Sequence, residues 1–474
     1  MSFPVYDHYA PVDVAGLGRI PRHWSIVRMA YLESSGEDFV SGPFGSSLGS
    51  DDYVDAGVPV IRGVNTALHA NSKFYDKDYV YVNDEKFESL KRCKAIPGDV
   101  IFTARGTVGK VGIVPEAVPK ALISPNQLRF RPSTGAVVAD FLFYVFASEP
   151  MFAHVILSSD SVAQPNMNLG SLKSLRIWLP PATEQNQIAR FLDHETAKID
   201  ALIQQQQRLI ELLKEKRQAV ISHAVTKGLD PSVPMKDSGV EWLGEVPEHW
   251  EVVRFKHIAR SIKAGPFGSA LTKDMYTSSG YRVYGQEQVI PGDFKVGDYF
   301  ISDEYYRELQ QYSVEPQDIL ISCVGTFGKI AIVPADVEPG IINPRLIRVR
   351  VLDHTIPQFI EVTLKSYIVF EQFSLFSRGG TMDIINIATL SDIWLPIPPP
   401  SEQDSVVRWV ESQSESFDQL ITEAGLNIKL LVERRSALIS AAVTGKIDVR
   451  NWKPPADESA FDEEVRQAGL EMAS

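Results

Sequence analysis

Two stretches of the chain place apolar residues at helical period. Across 183–227, Ile188, Leu192, Ile199, Leu202, Leu209, Leu213 and Val220 recur at the three-and-four spacing of a heptad seam, with Gln206 in the slot before Leu209. Across 401–445, Val406, Val410, Phe417, Leu420, Ala424, Leu431 and Leu438 take the same places; Asn427 faces Leu209, and Ile428 beside it can carry that contact. Each stretch opens on prolines, a hydroxyl N-cap and a glutamate (Thr183-Glu184, Ser401-Glu402), and each closes on glycine, Gly228 and Gly445. At about 1.5 Å per residue each helix is about 65 Å long, more than a domain of this size covers, so the two are expected to pack on each other. The first enters the second globular region and the second leaves it, so the expected coiled coil is antiparallel. In 1–180 and 231–400 the pattern is mixed. Short branched runs such as Val100-Ile101-Phe102, Val111-Gly112-Ile113-Val114 and Ile319-Leu320-Ile321 predict strands, and 139–148 and 357–376 predict helices.

The chain repeats itself in fixed order. Ile20-Pro21-Arg22-His23-Trp24 returns as Val246-Pro247-Glu248-His249-Trp250, and Gly42-Pro43-Phe44-Gly45-Ser46 as Gly265-Pro266-Phe267-Gly268-Ser269. Gly98-Asp99-Val100-Ile101 with Gly106-Thr107-Val108-Gly109-Lys110 returns as Gln317-Asp318-Ile319-Leu320 with Gly325-Thr326-Phe327-Gly328-Lys329. Asn168-Leu169 is matched by Asn386-Ile387. The helical stretches align without a gap, 17 of 45 positions identical, from Thr183–Lys227 onto Ser401–Gly445. The partition is 1–182, 183–230, 231–400, 401–446 and an acidic tail, 447–474. The fold class is α+β: two repeated mixed domains, each followed by a long helix, with quasi-twofold symmetry.

Candidate chemistry lies in the repeated loops, and each has a plain alternative. The turns at 106–110 and 325–329 are hairpin glycine turns, or they set Lys110 and Lys329, with Arg105, Thr107 and Thr326, on nucleic-acid phosphates. The Gly-Pro-Phe-Gly-Ser loops are turns around one buried Phe, or they offer backbone amides and the hydroxyls of Ser46 and Ser269 to a ligand. Asn166, Asn168, Arg378 and Thr381 precede or open the matched Asn-Leu and Asn-Ile pairs, and amides and guanidinium groups read adenine and guanine edges; loop Asn and Gly are also commonplace. His23 and His249, each beside a Trp, read as packed residues. Asp293-Phe294-Lys295 is unrepeated and reads as chance.

Composition narrows this further. With 47 basic and 60 acidic residues the net charge is −13, which excludes a uniformly basic nucleic-acid glove and leaves room for focused basic loops. Part of the excess acid lies in the tail, at Asp457, Glu458, Asp462, Glu463 and Glu464. Two cysteines, Cys93 and Cys323, are too few for a disulfide framework or a four-cysteine zinc site. Gly109-Lys110 is followed by Val111, not Ser or Thr, so there is no phosphate loop; no Gly-x-Gly-x-x-Gly occurs, and the histidines show no metal-ligand spacing. The expectation is a soluble, cytoplasmic protein that is not an enzyme and holds no metal.

The combination of Trp242-Leu243-Gly244-Glu245-Val246-Pro247-Glu248-His249-Trp250 with two Glu-Gln helices ending in Ala-Val-Thr resembles the specificity subunit of type I restriction–modification systems, over essentially the whole chain. The resemblance implies two target-recognition domains, each reading half of an interrupted double-stranded DNA site, and helices that space them and dock two methyltransferase subunits and then restriction subunits. It also implies that S-adenosylmethionine, ATP and Mg belong to those partners and not to this chain. Gln317, where the first repeat has Gly98, departs from the pattern. An alternative of another class is a bivalent protein-binding adaptor that never meets DNA.

Overall fold

The computed structural model describes residues 3–14, 17–44, 47–68, 72–132, 135–157, 166–323, 329–376 and 385–454. The chain divides into two compact units, Met1–Gln206 with Leu426–Ser474 and Gln207–Gly425. The long helices are continuous over Ala182–Lys227 and Pro400–Val443, so each unit takes one globular repeat and part of each helix.

In unit 1 an antiparallel sheet has the order Phe39–Ser41, Gln127–Phe130, Val100–Thr103, Val111–Ile113. A second sheet runs Val80–Val82, Val58–Ile61, Ala121–Ile123, Lys94–Ala95, with Val58–Ile61 and Ala121–Ile123 parallel. Unit 2 repeats the first sheet as Ala259–Ala264, Leu346–Val351, Ile319–Ser322, Ile330–Ile332. Its second sheet again holds one parallel pair, Tyr281–Tyr284 with Gly340–Ile342. Val100–Thr103 and Ile319–Ser322 thus form inner strands buried on both faces, Val111–Ile113 is the edge strand beside the first, and the 106–110 segment is the hairpin turn between Val100–Thr103 and Val111–Ile113, with Gly106 and Gly109 at positive φ. The 357–376 stretch forms two helices, Pro357–Leu364 and Tyr367–Phe376, broken at Lys365-Ser366. Among the described residues no single helix is long and apolar enough to cross a membrane; the apolar pair Ala139–Ala147 and Glu149–Leu157 bends by 73°, and Phe141 to Ala147 are core.

One end of each first sheet is fixed by a buried ion cluster. Asp99 accepts from Arg131 at 2.7 and 2.8 Å and from the Ile96 N–H at 2.9 Å, with the buried Arg129 guanidinium 4.0 Å away. Asp318, Arg350, the Glu315 N–H and Arg348 repeat this at 2.8 and 3.2, 2.8 and 4.0 Å. Gln317 takes φ +69° where Gly98 takes +84°, so the departure in sequence leaves the turn intact at the cost of a left-handed glutamine.

The helix starts are clasped to the globular parts. Glu184, nearly buried, accepts from Tyr6 Oη (2.6 Å) and Trp24 Nε1 (3.0 Å) and pairs with His23 Nε2 (2.8 Å). Glu402 pairs with His249 Nε2 at 2.8 Å, whereas the buried Trp250 Nε1 has no partner among the described residues. Both histidines are therefore packing partners of a carboxylate.

The helices' shielded faces correct the predicted seam. Ile188, Leu192, Ile199, Leu213, Val220, Val406, Val410, Phe417, Leu431 and Leu438 are buried or half-buried, but Leu202, Leu209 and Leu420 are 40, 43 and 47% exposed. Between 202 and 217 the shielded residues are Ile203, Gln206, Ile210, Leu213 and Arg217; between 415 and 435 they are Phe417, Ile421, Ala424, Ile428, Leu431 and Arg435. Every second contact falls four residues after the last instead of three. Both slots hold apolar side chains, so hydropathy alone does not choose; the four-residue choice also lets Arg217 reach Asp418 (2.7 Å) in unit 2 and Arg435 reach Asp200 (2.9 Å) in unit 1. In unit 1, Ile188, Phe191 and Leu192 share a core with Ile439, Ala442 and Val443; in unit 2, Ala224 and Val225 share one with Val406, Val407 and Val410. The first residues of the acidic tail join unit 1: Val449 is buried, the Asp448 N–H donates to Pro4 O (2.8 Å), and Gln187 reaches Trp452 O (2.6 Å).

Candidate nucleic-acid interface

At the end of each first sheet opposite the ion cluster, main-chain bonds gather segments far apart in sequence. In unit 1 the Gly42 N–H donates to Gln127 O (2.9 Å), Ala104 to Asn126 O (2.8 Å), Met167 to Ala104 O (2.9 Å), Ser124 to Ile61 O (2.9 Å) and Thr103 to Lys110 O (3.0 Å). In unit 2 the equivalents are Gly265 to Leu346 O (2.9 Å), Cys323 to Arg345 O (2.9 Å), Ile385 to Cys323 O (2.9 Å), Asn343 to Tyr284 O (2.8 Å) and Ser322 to Lys329 O (2.9 Å). The proline loop, the glycine turn and the Asn segment thus meet at one sheet end in unit 1, and in unit 2 the proline loop, Lys329 and the segment starting at Ile385 do the same. Close packing explains the first glycine of each loop: a Cβ on Gly42 would lie 1.9 Å from Ser124 O, and one on Gly265 1.9 Å from Asn343 O.

Several sequence candidates fall on this end. Arg105 and Thr107 are exposed, and Lys110, half-buried, donates to Gly63 O at 3.2 Å, which leaves two of its three N–H donors. Asn166 is half-buried beside Met167. Asn168 caps the helix Leu169–Ser174 through Ser171 N–H, as Asn386 caps Ile387–Asp392, so the matched asparagines are first of all helix starts. Ser269 and Lys329 are exposed. Ser46, Thr326, Arg378 and Thr381 lie outside the described residues.

Sequence reasoning missed Asn126 and Arg345. They hold the same position in the two repeats, directly before the strands that start at Gln127 and Leu346, and both are exposed. Every other described arginine of unit 2 faces a carboxylate within 4.0 Å. Arg345 instead lies 3.5 Å from Gln286 Oε1, on the rim of an open hollow of about 560 Å³ that also takes in Lys273, Tyr276, Tyr299 and Asn343. Gln286 Nε2 in turn donates to Ser322 Oγ (2.7 Å), and Thr66 and Thr103 hydroxyls pair at 2.9 Å beneath the unit 1 end. Comparing the repeats after alignment on their strands would have shown Asn126 against Arg345.

Burial pushes the Cys323 thiol up, away from nucleophilic use. Lys295 of the Asp293-Phe294-Lys295 run is ion-paired to Asp336 at 3.0 Å. Among the described residues no group of three or more His, Cys, Asp or Glu could hold a metal ion.

Comparison with known proteins gives a consistent picture. The type I restriction modification DNA specificity domain matches residues 57–212 and 247–429. The chain is 25% identical over 444 residues to the putative type I restriction enzyme MjaX specificity subunit of Methanocaldococcus jannaschii, covering 92% of this chain and 96% of the relative. It is 22% identical to the EcoKI specificity subunit of Escherichia coli K12, covering 89 and 88%. Among solved structures, a chain from work on complex assembly and conformational transition of the type I R-M system is similar with TM-score 0.64 at 15% identity, covering 90% of this chain and 98% of that one. The HsdS subunit of Thermoanaerobacter tengcongensis is similar with TM-score 0.52 at 16% identity, covering 91 and 99%.

Proposed function

As the chain belongs to the type I restriction modification DNA specificity family, we propose that each of its two units reads one half of an interrupted, asymmetric double-stranded DNA site for a restriction–modification complex. The observation that carries this is the matched sheet end, where five equivalent main-chain bonds recur and leave Arg105 and Asn126 exposed in one unit, Lys329 and Arg345 in the other. Cations supply phosphate contacts, and Asn and Arg are the side chains that pair bidentately with adenine and guanine. A net charge of −13 is no obstacle, since the cations stand at the tips and many of the others are spent on internal ion pairs.

The two long helices pair antiparallel as a quasi-twofold spacer. Support comes from within each unit, where the early part of one helix packs on the late part of the other and one Arg–Asp pair locks the register. Leucines turned out of the seam, Leu202 in unit 1 and Leu209, Leu212 and Leu420 in unit 2, leave exposed apolar side chains on the helices that suit the docking of two methyltransferase subunits and, through them, restriction subunits. Methyl transfer and cleavage, with S-adenosylmethionine, ATP and magnesium, belong to those partners; this chain does no chemistry. A spacer of about 65 Å corresponds to at most about 19 base pairs at ~3.4 Å each, fewer where the DNA bends.

Selection from random duplex DNA by the chain co-purified with its methyltransferase subunits, at near-physiological salt, tests this. The expected result is a two-part motif with a constant gap that shortens when one heptad is removed from each helix. Recovery of no motif by a folded complex would favour the protein-adaptor reading, and a gap unchanged by the deletion would remove the spacer role.

A further inference from the structure

The Gly-Pro-Phe loops invert the usual order of burial. In both, the proline is buried and the phenylalanine is out in solvent: Phe44 is 88% exposed and Phe267 66% exposed. Among the described residues they are the two most exposed phenylalanines of the chain, and they hold the same position in the two repeats. The expected turn around a buried Phe is therefore not what forms. A lone exposed ring on a surface is ordinary, but the same exposed ring twice, at the same corner of two units whose sequences have otherwise drifted, is not explained by chance solvation.

The backbone that carries the rings is tied down. The Gly42 and Gly265 N–H groups are tied to the adjacent strand at 2.9 Å, their α-carbons pack on a backbone carbonyl too closely for any side chain, and Pro43 and Pro266 fix the next φ. The carbonyl of each Phe is also bonded, Phe44 O accepting from the Ser47 N–H (2.7 Å) and Phe267 O from the Ala270 N–H (3.2 Å). A backbone tied in this way spends little entropy of its own when the ring it carries meets a ligand. The neighbouring strand starts carry Asn126 and Arg345, so a ligand of the ring is one that also takes amides and cations.

Resting on the DNA-reading function proposed above, we infer that Phe44 and Phe267 are aromatic wedges, each pressed against the face of a base or the edge of a base step in its own half-site. Apolar side chains do this in proteins that unstack and kink a duplex, and a base offers a π-face whatever its identity. The rings then supply affinity and a local distortion, while Asn126 and Arg345 discriminate between bases.

The test uses the full chain with its methyltransferase subunits and duplexes carrying the selected motif, with a 5-iodopyrimidine at one position at a time. Irradiation is expected to cross-link one half-site to the peptide holding Phe44 and the other to that holding Phe267, as read by mass spectrometry. Phe44→Ala should abolish only its own cross-link and weaken binding about ten- to a hundredfold, with an unchanged slope of affinity against salt because no charge is lost. Phe44→Trp should keep both. Unchanged thermal unfolding of the Ala variant shows that a loss is not misfolding. Cross-links that never include either peptide, together with parental affinity of both Ala variants, overturn the inference. So does loss of methyltransferase co-purification with DNA contacts intact, which makes the rings a protein contact. If the parental complex selects no motif at all, it is the DNA-reading function that fails, and the wedge with it.

Discussion

Glu184 and Glu402 occupy the same position of two aligned helices, yet their surroundings predict different costs of removal. Glu184→Ala deletes an acceptor that serves the Tyr6 hydroxyl, the Trp24 indole N–H and His23, at 2.6, 3.0 and 2.8 Å. Tyr6 and Trp24 are 3 and 6% exposed, so water does not replace the lost partner. Bonds to a charged acceptor contribute about 1.5–3 kcal/mol each, and a stranded buried donor costs about 1–3 kcal/mol. Since these overlap, about 3–5 kcal/mol is expected for the variant. Glu402→Ala loses one bond to the 45%-exposed His249, and Trp250 Nε1 is unpartnered already, so about 1 kcal/mol or less is expected there. Glu184→Gln keeps an oxygen for Tyr6 and Trp24 and should recover roughly half of the loss. A chain of two units has no single unfolding free energy. Hydrogen exchange resolved by peptide is therefore the assay, comparing 6–28 with 245–254 in rising urea. Equal loss of protection in the two alanine variants would refute the reasoning, because only the environment distinguishes the two glutamates.

Asp99→Ala strands the buried Arg129 and releases Arg131, and should cost about 3–5 kcal/mol, seen as early loss of exchange protection in 100–103 and 127–130 with unit 2 unaffected. Arg345→Ala should relax the preference for one base of one half-site by about 1–3 kcal/mol and leave the other half-site sharp; a uniform weakening across sequences would show a phosphate contact instead.

Much of the architecture was legible because the chain is written twice. Val100-Ile101-Phe102 and Ile319-Leu320-Ile321 read as strands since both faces are buried and the run is unbroken, and the turn at 106–110 reads as a hairpin since Gly106 and Gly109 supply positive φ there. The seam was misplaced because Leu202 and Ile203, Leu209 and Ile210, and Leu420 and Ile421 are adjacent apolar pairs. Periodicity cannot choose within such a pair; the choice is settled by packing within each unit, and Arg217 on Asp418 and Arg435 on Asp200 go with it. The fate of Phe44 and Phe267 was illegible for a related reason. A Gly-Pro-Phe-Gly run fixes a turn, but which of Pro and Phe faces the core depends on how closely Gly42 and Gly265 approach another strand. Asn126 and Arg345 carry no motif, and only alignment through the sheet register pairs them.

That last pairing suggests how one scaffold can read two sequences. The bonds that assemble each sheet end are made by main chain, and the cluster that fixes the far end uses Asp99, Arg129 and Arg131 or their equivalents Asp318, Arg348 and Arg350. Neither set involves the side chain just before the Gln127 or Leu346 strand. A change there costs no hydrogen bond of the framework and buries nothing, so Asn and Arg can interchange with little effect on stability. The loop glycine and the buried arginine lack that freedom, one because a Cβ would meet a carbonyl and the other because its charge is buried. On the proposed DNA-reading function, the side chain that differs between the two units stands where folding is indifferent to it, and the shared glycine and arginine stand where it is not. Exchanging Asn126 and Arg345 between the units should accordingly leave the hydrogen-exchange protection of each unit within about 0.5 kcal/mol of the parent while moving the base preference from one half-site to the other. A large loss of stability in that double variant would mean that the two side chains belong to the framework after all.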